Sequence, residues 1–267
     1  HIFLSCIAVL CLVNVETGAS SELATLKGRH ITSIALHEDG TLYALESTAT
    51  SPFGILLKLN DSGELELIGD TGLDALSTKI AFDIEGTLFA LSEDTKDLST
   101  LNIDTAEATK LHTLDDLDMS SGDFTITEEG DLIYLSHAGQ LSLILIEPDT
   151  AVILPTGTLP NQGNMYTGLA YFEGMYYALD EKLEMVYTFR LDTFEPTLLS
   201  RHSGPFGPGD AAACPMTPVE PSPSAKDVSA QSGSGQPTGS IQTATTGTSS
   251  HEEIPDSGSG TPAETDD

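Results

Sequence analysis

The stretch IALHEDGTLYALESTATSPFGILLKLNDSGELELIG, Ile34 to Gly69, decides the fold, because the chain downstream repeats it in outline. Its turn glycine, Gly40 in DGTLYAL, recurs as Gly86 in EGTLFAL, Gly130 in EGDLIYL and Gly174 in EGMYYAL, at intervals of 46, 44 and 44 residues. A second marker keeps step: Asp61, Asp104, Asp149 and Asp192 stand 43, 45 and 43 residues apart. A fixed period of this size is the mark of a propeller or an array.

Within each unit an apolar segment runs up to an acidic pair and the glycine, which supplies the positive φ of a tight turn. The segments after the glycine, Leu42–Leu45, Leu88–Leu91, Leu132–Leu135 and Tyr176–Leu179, are apolar at nearly every position. A strand with one wet face alternates, so a continuous run means cover on both faces. Third and fourth strands follow across the Asp-Ser/Thr turn, as in ILLKL and ELELIG. No helical stretch separates the strands, which excludes parallel βαβ units. The reading is therefore an all-β chain: a β-propeller of four-stranded antiparallel blades, in four repeats of about 44 residues, each sheet sandwiched between its neighbours. Leu23–Leu26, ahead of the first repeat, is either a strand that closes the ring or the remnant of a fifth blade.

Around this domain, taken as residues 21–214, the ends read differently. The chain opens on His1 rather than Met, and Ile2–Val13 is mostly apolar. At a dozen residues it is shorter than the roughly 20 that cross a bilayer. Residues 1–20 are expected to be a truncated secretory signal peptide, cleaved after Ala19 or Ser20. Cleavage would remove Cys6 and Cys11 and leave Cys214 with no partner. Residues 215–267 shift to Ser, Thr, Gly, Pro and acids, with eight acids against Lys226. Such a segment buries too little apolar surface to offset its chain entropy, and a disordered tail is expected.

The formal charge of −31 excludes two partner classes. A field of that sign repels phosphate backbones and anionic lipid, so neither nucleic acid nor a membrane surface is expected as a partner. It suits a saline or calcium-rich exterior, where ions screen the repulsion.

The repeat of an apolar pair, Asp/Glu-Gly-x-Leu-Tyr-Ala-Leu, a second apolar pair and Asp-Thr resembles the propeller repeats of secreted, mostly bacterial proteins, including extracellular domains without an assigned activity. The phrase GPGDAAACP, Gly207 to Pro215, is similar to the Gly-Asp-Ala-Ala-Cys phrase that ends many such domains. The resemblance covers about residues 22–215 and implies a secreted propeller; its motifs are structural. Related propellers include calcium-dependent lactonases and lyases, whose ligand and catalytic positions have no match here.

No G-x-S-x-G elbow, H-E-x-x-H, C-x-x-C or P-loop is present. Propeller geometry still brings loops together: the glycine turns and Asp turns share one face, and the connections leaving the second strands share the other. On that second face lie Glu46, Glu93, His137 and Asp180 with Glu181, a carboxylate or imidazole group from each repeat. Converging carboxylates suit Ca²⁺, which takes 6 to 8 oxygen ligands. In an acid-rich chain they equally make a solvated rim. The turn aspartates are read as caps of their own turns. The leading expectation is a secreted, non-catalytic, monomeric module that needs no cofactor and binds an extracellular protein or surface ligand at its loop face. The alternatives are a calcium-dependent enzyme of lactonase or lyase type using the Glu46, Glu93, His137, Asp180 group, and a purely structural module.

Overall fold

The computed structural model describes residues 2–213, except for 7–8, 15–16, 18–19, 27, 49–50, 61–62, 120, 148–149, 161–164, 173 and 202–210. These belong to a unit spanning His1–Val219; a second unit, Glu220–Asp267, lies outside the described residues, as do the expected disordered tail and Cys214. Among the described residues no helix is long and apolar enough to cross a membrane.

Four consecutive four-stranded antiparallel sheets carry the repeats. Blade one is β4 (His30–Leu36), β5 (Leu42–Thr48), β6 (Ser51–Leu59) and β7 (Leu65–Asp74). Blade two is β8 (Thr78–Phe82), β9 (Leu88–Ser92), β10 (Asp97–Leu101) and β11 (Ala108–Thr113). Blade three is β12 (Gly122–Ile126), β13 (Leu132–Ser136), β14 (Gln140–Glu147) and β15 (Thr150–Thr158). Blade four is β16 (Tyr166–Phe172), β17 (Met175–Asp180), β18 (Met185–Phe189) and β19 (Thr197–Arg201). The turn glycines take the positive φ expected of them, +89° at Gly40, +81° at Gly86, +89° at Gly130 and +76° at Gly174.

A fifth sheet comes from both ends of the chain. Its order is β20 (Ala211–Ala213), β1 (Ile2–Cys6), β2 (Val9–Val13) and β3 (Ser20–Thr25). β20 pairs antiparallel with β1, Ile2 opposite Ala213 and Leu4 opposite Ala211. It packs between β16 and β4, so β4, β8, β12, β16 and β20 form a closed inner ring. Residues 2–6 and 9–13 of the expected leader stand in this sheet as strands. Leu10 is 1% exposed in a core shared with Ile34, Leu42 and Leu57 of blade one. An apolar strand hairpin and the apolar centre of a leader have the same composition, so the sequence pattern alone does not separate them. Leu23–Leu26 resolves as part of this fifth blade, with Leu23–Thr25 in its outer strand.

Side chains of the second strands divide by parity between the two neighbouring blades, as their apolar runs require. On β5, Leu42 and Ala44 join the core against blade five, while Tyr43 and Leu45 join the core with Ile80, Leu88 and Ala90 of blade two. On β13, Leu132 and Tyr134 pack with Ala81 and Leu91 of blade two, and Ile133 and Leu135 with Leu169, Tyr176 and Phe189 of blade four. The cores therefore lie between the sheets. Each fully buried Leu there contributes about 2 kcal/mol relative to exposure.

Candidate functional site

The four residues expected to converge on the face opposite the glycine turns are each held in a separate local setting. Glu46 forms an ion pair with Arg29, Nη1 to Oε2 2.7 Å. Glu93 Oε1 accepts from the Gly122 backbone N–H at 2.8 Å, bonding blade two to blade three. Asp180, fully buried, accepts on Oδ1 from the N–H groups of Met165 and Leu183. Its Oδ2 and the His137 Nε2 are buried and take no hydrogen bond. Among the described residues no three His, Cys, Asp or Glu side chains come close enough to hold a metal ion. Of the expected calcium candidates Glu46, Glu93, His137 and Asp180, the three acids are bonded locally, Glu46 to Arg29 and Glu93 and Asp180 to backbone N–H groups.

Burial raises the Glu93 carboxyl above its usual value against the opposing pull of the Gly122 N–H and Lys79. Burial also raises Glu181, with His137 and Lys79 opposing. Lys79, on inner strand β8, donates from Nζ to the Thr32 carbonyl of blade one at 3.0 Å. It therefore braces this end of the ring and partly neutralises the two acids beside it.

One level of the inner ring is occupied by cross-blade contacts. Ser33 Oγ accepts from the Ile80 N–H of blade two at 2.9 Å. Asp123, 2% exposed, accepts from the Leu169 N–H of blade four at 2.6 Å on Oδ2 and from the Phe124 N–H on Oδ1. At the corresponding place in blade four, Gly168 leaves room for β20: an added Cβ would stand 2.7 Å from the Ala211 Cβ. Inner strands of neighbouring blades are not paired with each other in a ladder, so side chains supply the bonds that a continuous sheet would provide.

On the face that carries the glycine turns, the ring axis opens into a cavity of about 350 Å³. Its inner wall is the apolar inner strands, with Ile34, Ile80, Phe124 and Leu169 all buried. Above them Ala35, Ala81, Thr125, Ala170 and Ala212 share one level of the ring, small enough for five strands to converge on an axis. The mouth alternates in chemistry around the ring: Glu38 from blade one, Ile84 from blade two, Glu128 from blade three and Phe172 from blade four. Glu38 and Glu128 are exposed, and Ile84 is 58% exposed despite being apolar. Asp83, also at the mouth, is committed to its own turn through the Glu85 and Thr87 N–H groups. The Tyr171 phenol accepts from the Gly174 N–H at 3.2 Å and is raised above its usual value by burial first and then by the nearby Glu128 carboxylate.

No family model and no curated protein matches the sequence. The fold is matched among solved structures by a chain of a crystal structure of a nidogen/laminin complex, a β-propeller, at TM-score 0.55 and 12% identity, covering 81% of this chain and 99% of that one. At that identity the likeness is one of fold, and it agrees with the blades described above.

The sequence reading placed its metal candidates on the other face and passed over Glu38, Ile84 and Glu128 as residues that line a cavity. The signal was present: these residues stand two before the turn glycines Gly40, Gly86 and Gly130, a register that projects toward the axis once the ring closes. The turn aspartates also change role where they are described. Asn102, not Asp104, caps its turn by accepting from the N–H groups of Asp104 and Thr105. Asp192 pairs with the Arg190 guanidinium. Asp61 and Asp149 lie outside the described residues.

Proposed function

We propose that this chain is a non-catalytic binding module of a secreted protein, which takes an extracellular protein partner at the glycine-turn mouth of its axial cavity. The cavity is the observation that carries the reading. It is concave and apolar within, with a few polar groups at its opening, as ligand sites are. Ile84, 58% exposed at its edge, offers a partner an apolar contact. On the opposite face, the three acids expected at a metal site are bonded instead to Arg29 and to backbone N–H groups. The matched propeller belongs to a nidogen/laminin complex, and this is consistent with a protein partner here. The acid-rich composition supports an extracellular setting, where salt screens self-repulsion over distances of about 8 Å.

The test is capture of a partner from the host's culture medium by the immobilised full chain. Glu38→Lys with Ile84→Lys should abolish capture, and Leu183→Lys on the opposite face should leave it intact. Loss with Leu183→Lys and retention with the turn-face pair would overturn the reading. Recovery of the chain from washed cells rather than the medium would overturn the secreted assignment.

A further inference from the structure

We propose, building on that reading, that the axial cavity recognises a polypeptide segment in which one apolar side chain is flanked by lysine or arginine. The depth profile of the site dictates the order. A side chain entering from the mouth puts its tip against Ile34, Ile80, Phe124 and Leu169, where a cationic head would lose its water without gaining a partner. The inserted group is therefore apolar. The acids stand outside it, at the mouth, on blades one and three, with apolar Ile84 and Phe172 on blades two and four. Basic residues on either side of the anchor then reach Glu38 and Glu128, while the segment's own backbone and stems rest on Ile84 and Phe172.

The size of the cavity, the general build of interfaces and the placement of the acids favour this occupant. At about 350 Å³ the cavity is near the lower end of ligand pockets, suited to one side chain. Interfaces gain most from a central desolvated anchor with a polar rim around it. Glu38 and Glu128 are exposed on two different blades, so a cation on either side of the anchor has its own carboxylate at the mouth. The formal charge of −31 attracts any basic peptide, so specificity depends on the combination of anchor and flanks.

The experiment is calorimetric titration of the full chain with blocked five-residue peptides at two salt concentrations. A Lys-Leu-Lys peptide should bind, with affinity falling as salt rises. Lys-Ala-Lys, lacking the anchor, and Glu-Leu-Glu, with reversed flanks, should each bind at least about tenfold more weakly. Glu38→Gln with Glu128→Gln should weaken Lys-Leu-Lys by about tenfold and remove most of the salt dependence. Both residues are exposed, so a melting temperature unchanged from wild type confirms that the variant is folded. Equal binding of Lys-Ala-Lys, equal binding of Glu-Leu-Glu, or no effect of the double variant would overturn the proposal. Failure of every peptide would also overturn it, whereas the broader turn-face reading would stand or fall on the capture experiment.

Discussion

The two ends of the ring axis are built from the same repeat and put their acids to different uses. At the end away from the glycine turns, carboxylates are consumed in holding blades and loops together: Asp123 bonds to Leu169, Glu93 to Gly122, Glu46 to Arg29 and Asp180 to Met165 and Leu183. At the glycine-turn end, Glu38 and Glu128 face solvent around an apolar cavity. The contrast teaches that an acidic loop residue in a propeller is read by what lies beneath it. Over unpaired backbone N–H groups it is framework; over a cavity it is available to a ligand.

Substitutions separate the two ends, and the largest effect belongs to Asp123. Asp123→Leu leaves the Leu169 and Phe124 N–H groups without their acceptor in a buried place, and about 3 kcal/mol of stability should be lost. For a domain of this size that is a fall of roughly 6–12 °C in melting temperature. A melt within 2 °C of wild type would mean that the cross-blade bond is dispensable. Gly168→Val should follow at about 2 kcal/mol, because the new side chain meets Ala211 and displaces the closing strand. Denaturant titration should show a lower midpoint.

Arg29→Ala should cost about 1 kcal/mol, more than Glu46→Gln, because it leaves a mostly buried carboxylate without its cation. Equal effects of the two would mean that the pair is solvated and adds little.

A smaller effect is read from pH. Glu93 and Glu181 have folded-state values raised by burial, so their ionisation costs the folded state. That penalty is absent below the ordinary value of 4.5 and grows as pH rises through the raised values. Melting temperature should therefore rise as pH falls from 7 toward 4.5. Asp39 has the opposite sign: its carboxyl is lowered to about 2 by the Thr41 N–H and by His37, and its contribution disappears as pH falls toward that value. Glu93→Gln, which keeps an oxygen for Gly122, should reduce the rise between pH 7 and 4.5. An unchanged profile would remove Glu93 as a cause. The smallest effect belongs to the other end of the axis: Glu38→Gln and Glu128→Gln should each change stability by less than about 0.5 kcal/mol, as exposed substitutions do.

The propeller was legible because its evidence is periodic. Turn glycines at a fixed interval and second strands such as Leu88–Leu91, apolar at every position, leave few ways to bury both faces of a sheet. The fifth blade was not, for a physical reason: β20 is only three alanines long and its partner lies more than 200 residues away, so no local pattern links them. Ile2–Val13, an apolar run of a dozen residues, fits a strand hairpin and the apolar centre of a leader alike. The bonding of the candidate site residues was hidden for a related reason. The positions of Glu46, Glu93, His137 and Asp180 could be assigned to one face from the repeat, but their partners could not: Arg29 and the Gly122 N–H fall outside the repeat's markers. The cavity is a property of five inner strands together, visible only when the ring is closed.

The shared fifth sheet also sets an order of events in biosynthesis. Since β20 supplies the innermost strand beside β1, the ring has no final form until Ala213 has left the ribosome, by which time the first three repeats have long been available to fold. Until then the first and last blades each present an uncovered flank, and pairing across such a separation in sequence is slow. Newly made chains crowded on one message could therefore close on each other, giving a swapped dimer in place of a ring.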